Sequence, residues 1–408
     1  MRAQYLKLWP DLRTKQKLGR IFGLVAALPL LINLFISEVA MAQTYSTERI
    51  LATSNTISGK FSRQKVELGK TGLSFSTILN ENMHVWTDPS PVKEGVVARI
   101  YDPENRDKLM IEVHHILFPS FADASTAGYG FLALNGYNRI LQDSSHGNSV
   151  FGFLAGSEFK EGLGYDRMSR LAVVSHGSDV LIIQATFDYD DYPDYEDALS
   201  RFFGGLEMES ESAAFKTLKE QTAKGGEVFL YPEGWDLKTV DSSNKPEGTS
   251  DYNLSINGEE YPNLVVHIRP VDLAKGREVA ADMISTFTKQ IDDSSQASFV
   301  GDADMETIKS SSGEPIAHAY ARGWDTTTGG HFVTEIFVQR NADVASISVL
   351  GLNTYDARRN IRSFDKETQD IIFKSWVTGI SAYSVVKKSL VMNRDAIKRD
   401  FDLRVLDH

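Results

Sequence analysis

From residue 75 to 207 the chain alternates short runs of period two with longer runs of period near 3.6. "MHVWTD", "GVVARIYD" and "KLMIEVHHILF" are rich in β-branched and aromatic residues and predict strands. "FADASTAGYGFLALNGYNRIL" follows, with Ala127, Phe131, Leu134, Tyr137 and Leu141 at helical spacing. "NSVFGFLAGSEFK" predicts another strand, and "DRMSRLAVVSHGSDVLIIQATFD" a hairpin that turns at "SHGSD". "DYEDALSRFFGGLEM" closes the run as a helix whose stripe is Ala198, Leu199, Phe202, Phe203 and Leu206.

The same order returns after "ESESAAFKTLKEQTAKGGE", a polar stretch that reads as a loose helical linker over 208–225. "VFLYPEGWDLKTV" and "LVVHIRPVD" predict strands, and "GREVAADMISTFTKQI" a helix with Val279, Met283, Ile284 and Phe287 on one face. "EPIAHAYARGWD" and "GHFVTEIFVQRNADVASISVLGLN" predict hairpin strands. "DKETQDIIFKSWVTGIS" closes as a helix with Ile371, Ile372, Phe373, Trp376 and Ile380. Laying Asp179-Val180 over Asp343-Val344 aligns the two hairpins without a gap. The pattern predicts an α+β protein of two tandem modules in βββα-βββα order, each an antiparallel sheet with helices packed on it. The expected division is a leader over 43–74, modules over 75–207 and 226–384, and a helical tail over 385–408. The tail offers Leu390, Val391, Ile397, Phe401 and Val405 for packing or docking.

"VFLYPEGWDL" entering a strand, a helix about fifty residues on, two long strands and a closing amphipathic helix together resemble the PsbP-like fold, that of the extrinsic photosystem subunit. The second module carries more of this pattern than the first, where the Pro-Glu-Gly-Trp element reads "NENMHVW". The resemblance implies a binding or assembly factor rather than an enzyme.

The N-terminus adds a compartment. Arg2, Lys7, Arg13, Lys15, Lys17 and Arg20 precede the apolar run "IFGLVAALPLLINLFISEVAMA", which exits through Ala40-Met41-Ala42. This is the form of a secretory signal over 1–42, with cleavage expected after Ala42 and a periplasmic destination. An uncleaved segment would be the chain's one membrane contact. There is no cysteine, so an exported form has neither disulfides nor thiolate chemistry. Of 43 basic and 55 acidic residues, six and two fall within 1–42, leaving 37 against 53, a net −16 beyond it. That balance argues against nucleic acid and anionic lipid as partners and favours cations or a basic protein surface.

The acid is densest in "FDYDDYPDYED", Phe187 to Asp197. Three readings stand open there. Pro193 suits a first helical turn, Asp190 or Asp191 can cap it, and Asp194, Glu196 and Asp197 oppose the helix dipole. Alternatively, Asp188, Tyr189, Asp190, Asp191, Tyr192 and Asp194 form a protein-docking patch. In the third reading Asp188, Asp190 and Asp191 hold calcium, although no glycine stands at the sixth place that an EF-hand loop requires. The corresponding link of the second module is basic, with Arg358, Arg359 and Arg362 before a Ser363 or Asp365 cap. An acidic link is therefore not a demand of the fold, and the basic one is a second candidate contact.

Other chemistry is thinner. His114-His115 point to opposite faces of a strand, and no His-Glu-x-x-His spacing occurs. Neither a Gly-x-Ser-x-Gly elbow nor a phosphate-binding glycine loop is present, and "AGSEFKEG" reads as a strand end. Trp235 and Trp324 stand near strand ends, and Trp86 and Trp376 at expected core positions. The sequence points to an exported, non-enzymatic binding or assembly accessory without a cofactor, working through a protein partner in the cell envelope. A calcium- or metal-responsive periplasmic binding protein is the alternative, and a hydrolase with a fold-assembled site a further one.

Overall fold

The computed structural model describes residues 60–391 apart from 88–94, 104–108, 138, 146–149, 159–164, 209–217, 260, 273, 293–296, 300–305, 310–314, 326–329, 342–343 and 356–360. The expected signal and the end of the tail lie outside the described residues.

The first module contains β1 (Phe61–Glu67), β2 (Ser74–Asn80), β3 (His84–Thr87), β4 (Val96–Tyr101), β5 (Met110–Leu117), α1 (Ala124–Leu134), β6 (Arg139–Ser145), β7 (Val150–Glu158), β8 (Tyr165–His176), β9 (Asp179–Asp188), α2 (Tyr192–Gly204) and β10 (Glu207–Met208). The second contains β11 (Leu218–Thr222), β12 (Val228–Pro232), β13 (Asp236–Val240), β14 (Ser250–Ser255), β15 (Asn263–Val271), α3 (Gly276–Asp292), β16 (Ala297–Phe299), β17 (Glu306–Lys309), β18 (Pro315–Asp325), β19 (Gly330–Asn341), β20 (Val344–Tyr355) and α4 (Lys366–Val391). The main sheets run β3-β4-β5-β9-β8-β7-β6 and β13-β14-β15-β20-β19-β18-β16, with β17 also paired to β18. Every pairing is antiparallel, and the order of connection is the same in both. The fold is α+β, in two tandem modules.

Several expected boundaries move. Residues 60–74 are not a leader: β1 pairs β2, and Val66, Leu68 and Leu73 are buried in the first core. Of the expected helical linker over 208–225, Met208 is strand, since β10 pairs β2, and Leu218–Thr222 is strand, since β11 pairs β12; 209–217 lie outside the described residues. "VFLYPEGWDLKTV" is two strands of different sheets, broken at Gly234, whose φ of 94° is left-handed. β14 was not foreseen, because "SDYNLS" turns only Tyr252 and Leu254 into the apolar core. α1 stops at Leu134, where Asn135 and the left-handed Gly136 end it, so Leu141 lies on β6 rather than on the helix. Trp86, expected in a core, is 41% exposed on the edge strand β3, whereas Trp376 and Trp235 are buried.

The repeat register also shifts by one. β8 and β9 meet last at His176 and Asp179, and β19 and β20 at Asn341 and Val344. Asp179 therefore corresponds to Val344, not to Asp343. A one-residue slip on a strand reverses every side chain, and only the corrected register puts like faces together. Leu181, Ile183, Ala185 and Phe187 of β9 face α2, and Val180 and Ile182 face α1. On β20, Leu350 and Leu352 face α4, and Ile347 and Val349 face α3.

α4 serves both modules. Its 26 residues run unbroken through the expected boundary at 384, about 39 Å of helix at 1.5 Å per residue. Ile372, Phe373, Trp376 and Val377 complete the first module's core against α1 and the sheet, while Ala382, Tyr383, Val386 and Leu390 close the second. Ile371, expected in the apolar stripe, is exposed. α1 is thus covered on two sides, as an apolar sequence with few polar positions requires. Phe118 meets Phe373 edge to face with centroids 5.5 Å apart, and the Ser381 hydroxyl accepts from the Asp123 amide at the start of α1. The Pro-Glu-Gly-Trp corner belongs to the same joint. Ser120 donates to the Glu233 carbonyl, and a Cβ on Gly234 would stand 3.1 Å from the Pro119 carbonyl oxygen.

Gly130 of α1 allows the closest approach, since a Cβ there would lie 2.7 Å from the Phe373 ring. Gly130→Ala should lower the unfolding free energy by about 1–3 kcal/mol. Adding Phe373→Leu should recover part of the loss in a double-mutant cycle read by urea denaturation.

Candidate functional site

β9 ends at Asp188, directly opposite Arg167 of β8. One turn of 3-10 helix, Tyr189–Asp191, then leads into α2, with Pro193 in its first turn. Asp191 takes the N-cap position but its side chain makes no capping hydrogen bond, which removes the role that the sequence allowed it. The second module shows what capping looks like. The Asp365 carboxylate accepts from the Thr368 amide at 2.9 Å and from its hydroxyl at 2.8 Å, and these bonds hold the Asp365 carboxyl below its ordinary range. One carboxylate starts that helix.

Of the acids in the stretch, Asp197 is bonded to Arg201 at 2.9 Å and Asp188 faces Arg167. Asp191 and Asp194 form no ion pair among the described residues. Tyr192 is committed to the module, stacked on Phe187 with centroids 5.2 Å apart. Its hydroxyl is pushed up by burial and Glu196, against the pull of Arg170. The Tyr189 side chain lies outside the description. Tyr195, which the sequence reading passed over, is 6% exposed. Burial first, then Asp191, Asp102 and Asp194, push its hydroxyl up to about 12. Asp102, at the end of β4, was likewise missed, because it joins the stretch only through the sheet.

Of the basic link, Arg358 and Arg359 lie outside the described residues. Arg362 sits against Gly136 at the C-terminal end of α1, where a helix favours a cation. It therefore helps to join the modules. α1 and α2 cover opposite faces of the first sheet, so Arg362 stands on the other face from the acidic stretch.

Two polar clusters in the second module were not foreseen. Glu335, 2% exposed on β19, bonds His318 at 2.7 Å and, from α4, Tyr383 at 2.5 Å and Lys387 at 2.8 Å. Burial raises the Glu335 carboxyl, but those partners outweigh it and hold it below the ordinary range, while Tyr383 is pushed well up by burial and Glu335. On the opposite face of the sheet, Asp251 of β14 bonds His267, its cross-strand partner on β15, at 2.7 Å and Lys245 at 2.9 Å. The Asp251 carboxyl is raised by burial and, on balance, lowered by these two. The sequence signal for Glu335 was available, since it stands at an inward position of "FVTEIFVQ". Its partners come from other elements.

The corrected register makes a comparison possible. Six residues before each hairpin turn stand Arg170 and Glu335. Arg170 reaches Ser200 and the Phe203 ring of α2, and Glu335 reaches α4. Arg99 and Glu112, paired across β4 and β5 with a 2.7 Å bond, occupy the places of Asp251 and His267. The modules keep the positions and exchange the charges.

Three further histidines have local explanations. His114 is buried edge-on to Phe131, and His115 bonds Asp179 at 2.8 Å from the other face. His84 stacks on Tyr101. Among the described residues no three His, Asp or Glu converge to hold a metal ion, and no helix is long and apolar enough to cross a membrane.

No family model and no curated protein matches the chain. Among solved structures it is similar to the PsbP protein of the cyanobacterium Synechocystis, at 14% identity and a TM-score of 0.29, over 39% of this chain and 99% of that one. It is also similar to the Ran-binding protein Mog1p of Saccharomyces cerevisiae, at 11% and 0.28, over 36% and 96%. The immunity protein TplEi of Pseudomonas aeruginosa gives 9% and 0.18 to 0.19 in its two structures, over 79% and 96%. The resemblance read from the Pro-Glu-Gly-Trp stretch thus has a weak fold-level counterpart and nothing finer.

Two measurements test these assignments. Asp365→Ala should lower the unfolding midpoint, while Asp191→Ala should leave it nearly unchanged, because only Asp365 caps. A carboxylate depressed in the folded state stabilises fully above its unfolded value, about 4.3 for glutamate, and loses that contribution as pH falls through the lower folded value. Glu335→Gln should therefore cost about 3–5 kcal/mol at neutral pH and shrink the acid limb of a pH series of urea melts. Asp251 and Asp365, whose carboxyls are also lowered, would contribute to what remains.

Proposed function

We propose that the chain is an exported, non-enzymatic accessory protein that docks a basic surface of a partner in the cell envelope through the start of α2. The observation that carries this reading is the acid left over after local structure has been satisfied. Asp191 neither caps nor pairs, and Asp194 has no ion pair among the described residues. Uncompensated like charge opposes folding, and a partner of opposite sign relieves that repulsion and speeds encounter. The second module starts its closing helix with one capping carboxylate and a basic link, so the surplus is particular to the first. Export rests on the N-terminal pattern, and the net −16 beyond residue 42 agrees with a basic partner.

The test is affinity capture from solubilised envelope with the wild type and with an Asp190→Asn, Asp191→Asn, Asp194→Asn variant. A defined partner recovered by the wild type, and lost from the variant at equal thermal stability, supports docking. Identical recovery from both overturns it.

A further inference from the structure

Tyr101 ends β4 opposite Met110, and Met110 lies opposite Thr186 of β9. Asp102 therefore leaves the sheet at the end where β9 runs out into the turn before α2. Asp191 and Tyr195 are four residues apart and share one face of the helix start, with Asp194 beside them. Tyr195 has its ring in the first core and is 6% exposed, yet its hydroxyl makes no hydrogen bond among the described residues. The three carboxylates act directly on that hydroxyl and, with burial, keep it protonated to about 12. The result is a neutral oxygen, free to accept, surrounded by anions.

We propose that Tyr195, with Asp191 and Asp194, forms the anchor point for an arginine side chain presented by the partner's surface. This rests on the docking reading and names what is docked. The acceptors do not converge on a point that a metal ion could occupy. A guanidinium suits them better, because its five donors lie spread over a rigid plane and reach separate oxygens. The Tyr195 oxygen takes one N–H and the carboxylates take others. An ammonium, a compact and strongly hydrated charge, engages fewer of them.

The experiment titrates the purified protein with N-acetyl-arginine methylamide, its lysine counterpart, or calcium chloride at constant ionic strength, following tyrosine ring resonances by NMR. The arginine probe should shift Tyr195 saturably, and the lysine probe should bind several-fold more weakly. Tyr195→Phe, a conservative change that keeps the ring in the core, should weaken arginine binding about tenfold. Asp191→Asn with Asp194→Asn should abolish it, and Asp197→Asn should leave it unchanged. Equal response to both probes, or an unaltered Tyr195→Phe protein, overturns the anchor. Calcium displacing the arginine probe at lower concentration overturns it in favour of a cation site. The two readings fail separately. Capture lost in the triple Asn variant, with arginine binding indifferent to Tyr195, retains the docking surface and removes the anchor. Arginine binding that depends on Tyr195, with capture unchanged in the triple variant, retains the anchor and removes the docking reading.

Discussion

Helix α4 must find apolar cover along most of its length, and no single sheet provides it. Phe373 and Trp376 fill the first module's core, and Tyr383 and Val386 fill the second's. Each large apolar side chain buried in this way contributes about 1.5–3 kcal/mol. The first sheet would otherwise present α1, apolar on both sides, to water. The rest of the arrangement follows from this sharing. Gly130 admits the Phe373 ring, Gly234 lets the corner approach Pro119, and Arg362 settles at the end of α1. The two modules are joined through a common core rather than by a tether.

The repeat conserves geometry and varies charge. At the place where Arg170 meets α2, the second module buries Glu335 and satisfies it with His318, Tyr383 and Lys387. A buried carboxylate with partners on both oxygens has no capacity left for a ligand, and its effect is to hold α4 on the sheet. The helix start of the first module is the reverse case. Its Asp191 and Asp194 form no ion pair among the described residues, and the Tyr195 hydroxyl beside them makes no hydrogen bond there.

Fold class, the order of elements and the closing helices were legible because they depend on local signals: β-branched and aromatic runs broken by turn residues for β8, β9, β19 and β20, and 3.6-residue spacing for α2 and α4. β14 was not legible, since "SDYNLS" buries two apolar residues and pairs its polar ones. Trp86 misled because an edge strand leaves one face to solvent. The hairpin alignment missed by one because Asp343 repeats the identity of the strand residue Asp179, and only the hydrogen-bonded registers of the two hairpins separate them.

The sequence by itself determined that the chain holds two α+β modules and that its acid is densest in Asp188–Asp197. Tertiary structure alone decided what covers α1, which acids are already used, and that Asp102 and Tyr195 belong with Asp191 and Asp194. The physical reason is distance along the chain. Periodicity and capping act over a few residues, whereas Asp102 and Asp191, or Gly130 and Phe373, become neighbours only when the sheet closes and the shared helix docks.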